Sequence, residues 1–203
     1  MSNLSLSQQD IAEIKNEAAP GRSYNDRVSV ALALRMLHLG RSKQIDTHSI
    51  LDEIDYLEGY RSTSRTKKES QFVHPPLEPL WHKHFMTARH IMKNIGVRWS
   101  LDRNGNRDLD RLIQEVAKEA GNDPDLWPKL LAHRLVVEGY EDRASTDGGY
   151  GLTGDWIVYG KHDGKNYYLD LASHEEGQNA LALYRKLRNG CYAEFPFVFS
   201  DYD

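Results

Sequence analysis

The hydrophobic pattern of this chain changes period once, and that change constrains the fold more than any other feature. Up to about residue 144, apolar residues recur mostly at helical spacing. After the glycine-rich stretch over residues 145–154, apolar and polar residues alternate as in β-strands. The dipeptide Asp163-Gly164 divides the alternating segment, and it is a strong signal for a two-residue hairpin turn. The sequence therefore predicts an antiparallel hairpin over residues 155–173.

The first 60 residues predict three short helices that form an N-terminal subdomain. Ser7 and Asp10 have the spacing of a capping box at the start of the first helix. The second helix is expected over about residues 25–39, where Gly40 ends it. The third begins after Asp46, with apolar residues on one face.

The rest of the chain is predicted to be a linker followed by an α+β domain. Residues 61–78 are rich in Ser, Thr, Lys and Arg near their start and predict a basic linker or loop. The main domain is expected over residues 79–203, with helices between 79 and 139. The first of these helices is predicted because apolar residues recur at helical spacing: Trp81, Phe85, Ala88, Met92 and Ile95.

The C-terminal part completes the predicted fold class. Ser173 and Glu176 form a second capping-box pattern, so a helix is expected over residues 174–189. A last strand is expected over residues 192–199. We therefore predict an α+β protein, with a mostly helical N-terminal two-thirds and a small antiparallel unit of hairpin, helix and strand.

Composition limits the size of the core, the cellular location and the cysteine chemistry that can be expected. The sequence has 203 residues, of which 39% are hydrophobic and 28% charged, which is enough for one sizeable core or for a small helical unit packed on a second subdomain. It contains no apolar run of about 20 residues and no signal-peptide pattern, so we expect no membrane association and a cytoplasmic location. The single cysteine, Cys191, excludes an internal disulfide and a multi-cysteine metal site.

Charge is unevenly distributed along this acidic chain. Residues 61–99 contain eight Lys or Arg and two acids, a net charge of +6 against −4 for the whole sequence. The same stretch holds four of the nine histidines. A local excess of cations with interleaved aromatic residues is where an anionic ligand is expected, unless the acidic remainder of the chain neutralises it within the fold.

Two histidine groups are the candidates for acid–base chemistry. In a helix His82 and His84 would lie on opposite borders of the buried stripe, whereas in a strand they would share one face. His162 precedes the hairpin turn, and a two-residue loop would pair it with Lys165. His174 lies in the predicted capping box, where the helix dipole disfavours its protonated form. Packing histidines and a solvated hairpin tip are the alternative interpretations.

We therefore expect a site between the basic stretch and the hairpin. The candidate catalytic residues are His84, Lys161, His162, Lys165 and His174. The candidate phosphate- or RNA-binding residues are Lys67, Lys68, His82, Lys83, Arg89 and Tyr150. No metal ligands are assigned and no cofactor is expected, because nucleotide-loop, Gly-x-Ser-x-Gly, His-Glu-x-x-His and Cys-x-x-Cys motifs are missing from the sequence.

Three functions remain open at this point. The predicted element order over about residues 107–203 is similar to that of the small ribonuclease toxins of the barnase/EndoU/RelE-like superfamily, although no motif matches residue by residue. This resemblance implies a metal-independent, toxin-like ribonuclease or a protein that binds RNA or another polyanion, with histidines as general acid and base. The alternatives are a non-catalytic module that binds an acidic protein and, less favoured, a metal hydrolase using His82, His84, His174 and Asp170.

Overall fold

The computed structural model describes residues 6–42, 44–100, 106–145 and 152–200. Within these ranges it contains eight α-helices and one four-stranded antiparallel sheet. The predicted α+β class is therefore confirmed. In the described residues, none of the helices combines the length and the apolar character that crossing a membrane requires.

Contacts divide the chain into two compact units. The first contains Met1–Ser64, Lys68–Met86 and Gly154–Asp203, and the second contains Arg65–Lys67 and Thr87–Thr153. The second unit is therefore inserted within the sequence of the first. The sequence predicts boundaries after residues 60 and 78 between three consecutive segments. These boundaries stay a prediction, because the two compact units are defined by contacts and each combines segments that are separate in the sequence.

Three helices begin the first unit, as predicted: α1 (Gln8–Ala18), α2 (Val30–Arg41) and α3 (Thr47–Leu57). The capping box of Ser7 and Asp10 is present at the start of α1. The second helix begins five residues later than expected, because a 3-10 helix over Asn25–Arg27 precedes it and Ser29 caps it. The side-chain oxygen of Ser29 accepts from the backbone N–H of Leu32.

The sheet is formed by β1 (Ser70–Gln71), β2 (Leu80–Phe85), β3 (Asp155–His162) and β4 (Lys165–Ala172), in that order. The predicted hairpin is the β3–β4 pair. Its turn residues Asp163 and Gly164 have φ values of 47° and 71°, the left-handed conformations that a type I′ turn requires. The register pairs His162 with Lys165, as expected.

The prediction of a helix starting near residue 79 was wrong, because β2 occupies its first half. β2 lies between β1 and β3, so both of its edges are hydrogen-bonded to neighbouring strands. Leu80 and Phe85 are fully buried on opposite faces. A 3-10 helix over Ala88–His90 and α4 (Ile91–Trp99) follow the strand.

Two hydrophobic layers cover the two faces of the sheet. On one face, residues of α2 and α3 such as Leu32 and Ile54 pack with Tyr159 and Tyr168. On the other face, Leu80 and Val158 pack with residues of the C-terminal helix described next. The sheet is the middle layer of the first unit, so its polar side chains require specific partners.

The C-terminal segment differs from its prediction in two places. The single helix expected over residues 174–189 is divided into α7 (His174–Gly177) and α8 (Ala180–Cys191), because Asn179 caps α8 by accepting from the N–H of Ala182. The predicted strand over residues 192–199 was wrong, since a 3-10 helix over Pro196–Val198 lies there. Proline at the first position fits this short helix and cannot donate to a sheet.

The second unit is helical and has a core of its own. It comprises α4, α5 (Arg107–Ala120) and α6 (Leu126–Ala144), packed around a core of Ile95, Trp99, Leu112 and Val116. α5 lies within residues 79–139, where helices were expected. Fully buried Asn94 closes this unit by donating to the carbonyl oxygens of His90 and Thr153 and accepting from the N–H of Thr153.

Candidate functional site

Three histidines meet on one face of the sheet in the first unit. β2 places His82 and His84 on the same side, and α7 begins at His174. The ring centroids of His84 and His174 lie 5.4 Å apart, and those of His82 and His84 lie 5.7 Å apart. Trp156, the partner of His84 in the β2–β3 register, has its ring 4.7 Å from that of His174. We call these four residues the histidine cluster.

The strand geometry of β2 explains how two of these imidazoles come together. Side chains two residues apart in a strand point to the same face. His82 and His84 therefore project together, whereas Lys83 projects to the opposite face. This answers the question that the sequence left open, because the helical alternative would have separated His82 from His84.

The position of His174 is fixed by the start of α7. The side chains of Ser173 and Glu176 form the predicted capping box around it. The carboxylate of Glu176 also accepts from Lys186 Nζ at 2.6 Å, and Lys186 donates to the carbonyl oxygen of Leu171 at 3.0 Å. A short helix that would be marginal by itself is thereby tied to α8 and to the end of β4.

Close packing holds α7 against Trp156. A Cβ atom added at Gly177 would lie 2.3 Å from Cζ3 of the Trp156 ring, so only glycine permits this approach. The indole thus contacts both α7 and the histidines of β2. Its position fixes the distance between the two elements that carry the cluster.

A backbone contact orients His84. Its Nδ1 lies 3.0 Å from the carbonyl oxygen of Gly154 and 3.3 Å from the Gly154 nitrogen. The shorter contact is with an acceptor, so we assign the proton to Nδ1 and leave the lone pair on Nε2. A Cβ at Gly154 would lie 1.9 Å from the carbonyl oxygen of Phe85, which explains why glycine occupies this position.

The cluster combines a buried imidazole with more accessible ones. His84 is only 6% exposed, whereas His82 and His174 are half-buried. The ring of Phe72 lies 4.6 Å from that of His82, and Ser70 Oγ lies 3.2 Å from His82 Nε2. The arrangement can hold one imidazole in a fixed orientation and present two others to a ligand.

The hairpin tip lies away from this cluster. His162 is six residues along β3 from Trp156, which corresponds to about 20 Å at the rise of a β-strand. Its ring packs at 4.4 Å from that of Phe197, and its side chain is 42% exposed. The structure therefore brings His84 and His174 together but not His162, so the expected meeting of His162 with the other histidines was wrong.

The two lysines of the hairpin tip project differently. Lys161 Nζ lies 3.8 Å from the centroid of Trp81, which places it on the face opposite to His162. Lys165 is exposed and is paired with His162 across the turn. A single catalytic group of Lys161, His162 and Lys165 is therefore not formed, since the side chain of Lys161 leaves the sheet on the other side.

The residues predicted to bind phosphate have diverse surroundings. Lys83 is fully buried, and its Nζ lies 2.9 Å from Glu53 Oε2, so no surface phosphate reaches it. Burial lowers the pKa of Lys83, while the carboxylate of Glu53 opposes this effect. Lys67 and Lys68 are exposed, in the second and first unit respectively. Arg89 lies in a 3-10 helix but its side chain is outside the described part, as is the whole of Tyr150.

Part of the basic stretch is neutralised by ion pairs within each unit. In the first unit Arg61 pairs with Asp52. In the second unit Arg98 lies 2.7 Å from Asp142 and 3.2 Å from Asp108. Together with the burial of Lys83, these ion pairs show that the net charge of +6 over residues 61–99 is not all available to a ligand.

Comparison with known proteins gives no further guide. No family model, no curated protein and no solved structure matches this chain. The site must therefore be interpreted from its own geometry. In the described ranges, no group of three or more His, Cys, Asp or Glu side chains is arranged to hold a metal ion.

The sequence did not identify Trp156 or Gly154 as parts of a site. Gly154 ends the glycine-rich stretch and Trp156 lies in the alternating segment that follows it. This pattern predicts a strand but not the strand with which it pairs. A signal was present in the spacing of His82 and His84, which fits a strand face. Locating Trp156 opposite His84 required the register between strands that lie about 70 residues apart in the chain.

Proposed function

We propose that this chain is a metal-independent, ribonuclease-like protein whose active site is the histidine cluster. The observation that supports this function best is the approach of His84 and His174, with ring centroids 5.4 Å apart. Two imidazoles of different exposure at one place are suited to act as general base and general acid near neutral pH. The expectation of a toxin-like ribonuclease from the element order belongs to the same proposal.

In the proposed reaction, the ribose 2′-hydroxyl of RNA attacks the adjacent phosphorus. His84 Nε2 accepts the proton of this hydroxyl, and the new bond forms between the 2′ oxygen and phosphorus. The bond from phosphorus to the 5′ oxygen breaks, and protonated His174 donates a proton to this oxygen. The products are a 2′,3′-cyclic phosphate and a free 5′-hydroxyl, and no metal ion takes part.

The surroundings of each histidine suit its proposed role. The carbonyl oxygen of Gly154 keeps the proton of His84 on Nδ1, which leaves Nε2 able to accept. His174 is half-buried at the surface of α7, where a leaving group can reach it, and the dipole that disfavours its protonated form is that of a helix of only four residues. Half-buried His82 is proposed to donate to a phosphate oxygen, the role predicted for it from the sequence.

The test is cleavage of short single-stranded RNA by the purified protein in the presence of EDTA. We expect products that end in a 2′,3′-cyclic phosphate. His84→Ala and His174→Ala should each lower the rate by about 10²-fold or more, the usual contribution of one acid–base group. His133→Ala is the matched control, because His133 is an exposed histidine of α6 in the second unit.

Two results would contradict the proposal. One is full cleavage by His174→Ala, and the other is RNA that stays intact with the wild-type protein. If RNA stays intact and an acidic protein is retained instead, the alternative of a non-catalytic binding module replaces this function. A cytoplasmic location is proposed together with the ribonuclease, because a single reduced cysteine is usual for that compartment.

A further inference from the structure

We propose that the hairpin tip and the C-terminal segment form a second RNA-contact surface, on which a base of single-stranded RNA stacks. This inference rests on the proposed function, since it assigns the substrate class of the same protein. The surface consists of His162, Lys165, Tyr167 and Phe197, and we call it the tip surface. It lies at the end of β3 remote from the histidine cluster.

An exposed aromatic ring is the central feature of the tip surface. Phe197 is 43% exposed, although it belongs to a segment whose neighbour Val198 is buried. Its ring centroid lies 4.4 Å from that of His162 and 4.8 Å from that of Tyr167. The interplanar angle with His162 is 34°, so the imidazole packs on one face of Phe197, and a planar ligand would stack on the exposed part of the Phe197 ring.

The backbone fixes Phe197 in this position. A Cβ at Gly160 would lie 2.5 Å from Cβ of Val198, so the C-terminal segment packs directly on the backbone of β3. Phe195 is buried and supports Tyr167, with ring centroids 5.2 Å apart. An aromatic ring that is held before binding loses little conformational freedom when a base stacks on it.

One exposed cation lies on the same side of the sheet as these rings. Lys165 is exposed and paired with His162 in the hairpin register, so its ammonium group lies on the same side of the sheet as the rings. Asp163 Oδ2 lies 3.4 Å from His162 Nε2, so the hairpin turn also carries one carboxylate beside the imidazole. Aromatic rings combined with cations are the usual platform for single-stranded nucleic acid.

The distance between the two surfaces determines which RNA can use both. The tip lies about 20 Å along β3 from the cluster. At about 3.4 Å per stacked nucleotide this separation corresponds to about six nucleotides. A dinucleotide can therefore occupy only the cluster, whereas an octanucleotide reaches both surfaces.

The experiment compares binding and cleavage for these two lengths. Binding is measured with a 2′-O-methyl octanucleotide, which lacks the attacking hydroxyl and cannot be cut by the proposed reaction. Phe197→Ala should weaken this binding about tenfold or more, as expected for one lost base stack, while Phe197→Trp should restore it. Lys165→Ala should lower the slope of log K against log salt by about one.

The control is Tyr60→Ala, because Tyr60 is an exposed aromatic residue that contacts Tyr24 in the opposite core layer. It should bind the octanucleotide as the wild type does. Unchanged octanucleotide affinity in Phe197→Ala, with circular dichroism matching the wild type, would overturn the tip surface. So would an equal loss in Tyr60→Ala.

Cleavage of a dinucleotide separates this inference from the proposed function. Phe197→Ala should cut the dinucleotide at the wild-type rate, and adding Phe197→Ala to His174→Ala should weaken octanucleotide binding by the same factor as in the wild type. A wild-type protein that cuts neither RNA but binds the octanucleotide through Phe197 would contradict the ribonuclease and keep the tip surface. Cleavage of both RNAs with no effect of Phe197→Ala would support the ribonuclease and contradict the tip surface.

Discussion

Lys83 places a positive charge in the core of the first unit, and its polar partners offset the free energy lost by burying that charge. Its Nζ lies 2.9 Å from Glu53 Oε2 and 2.9 Å from Ser64 Oγ, and Ser64 donates to the same carboxylate at 2.6 Å. A buried ion pair of this kind adds little net stability, but losing one partner leaves an isolated charge. Both partners are therefore needed to keep Lys83 buried in β2, the strand that carries His82 and His84.

Removal of the anion should be costly, and removal of both charges much less so. Glu53→Gln is expected to lower the free energy of unfolding by about 3–5 kcal/mol, because the ammonium of Lys83 loses its counter-charge. The double variant Glu53→Gln with Lys83→Met should recover most of this loss. Urea unfolding followed by circular dichroism measures both, and equal stability of the two variants would contradict this account.

Cys191 illustrates how burial suppresses reactivity. Its thiol donates to the carbonyl oxygen of Leu169 at 3.3 Å, and burial raises its pKa to about 12. Because the thiolate is the reactive form, we expect the folded protein to resist a disulfide reagent at pH 8 and the urea-unfolded protein to react fully. A fast reaction of the native protein would show that this part of the core opens.

The strands and helices were predictable where the local signal was strong. The hairpin followed from Asp163-Gly164, and α1 followed from the capping box of Ser7. β2 was not predictable, because Trp81 and Phe85 also have helical spacing. Its strand pattern was hidden by two polar residues, Lys83 and His84, which are buried through contacts with distant parts of the chain.

The candidate site was predictable only in part for the same reason. The sequence singled out His84 and His174, and the strand placed the first beside the second. It also grouped His162 with them, although His162 ends β3 and the other two histidines lie beside the start of that strand. Sequence spacing does not encode such a distance, because it depends on the pairing of β2 with β3 and on the packing of α7.

The contact between α7 and Trp156 makes a prediction about the helix itself. Gly177→Ala should displace α7, since the added methyl group would overlap the indole ring. We expect a loss of about 1–3 kcal/mol in unfolding free energy and a lower cleavage rate, because His174 moves with the helix. Thermal unfolding and the RNA assay measure the two effects.

Gly96→Ala is the control for that substitution. Gly96 lies in α4, and a Cβ there meets no atom within 4 Å. Alanine is the better helix former, so this variant should be as stable as the wild type or up to about 1 kcal/mol more stable. Equal behaviour of the two alanine variants would refute the packing argument for α7.

Acid stability of the whole first unit should depend on Glu58. Burial alone would raise its pKa, but hydrogen bonds from Arg27 and Tyr168 lower it below the ordinary value of 4.5. A carboxylate with a lowered pKa stabilises the fold above its unfolded pKa and loses this contribution as pH falls through the folded value. Stability is therefore expected to decline below about pH 4.5.

Glu58→Gln tests this expectation. The variant should be less stable than the wild type at pH 7, and the difference should shrink as the pH falls to 3. Urea unfolding at several pH values measures it, with Glu17→Gln as a control because Glu17 pairs with Arg41 at the surface. A constant difference between pH 7 and 3 would show that Glu58 acts through packing and not through its charge.

The insertion of the second unit between β2 and β3 has a consequence for synthesis of the protein. His82 and His84 leave the ribosome early, whereas Trp156 and His174 are made about 70 and 90 residues later. A nascent chain that ends before β3 therefore contains two of the imidazoles but not the pair of His84 and His174. The proposed active site therefore forms only after the last quarter of the polypeptide has emerged and packed against β2.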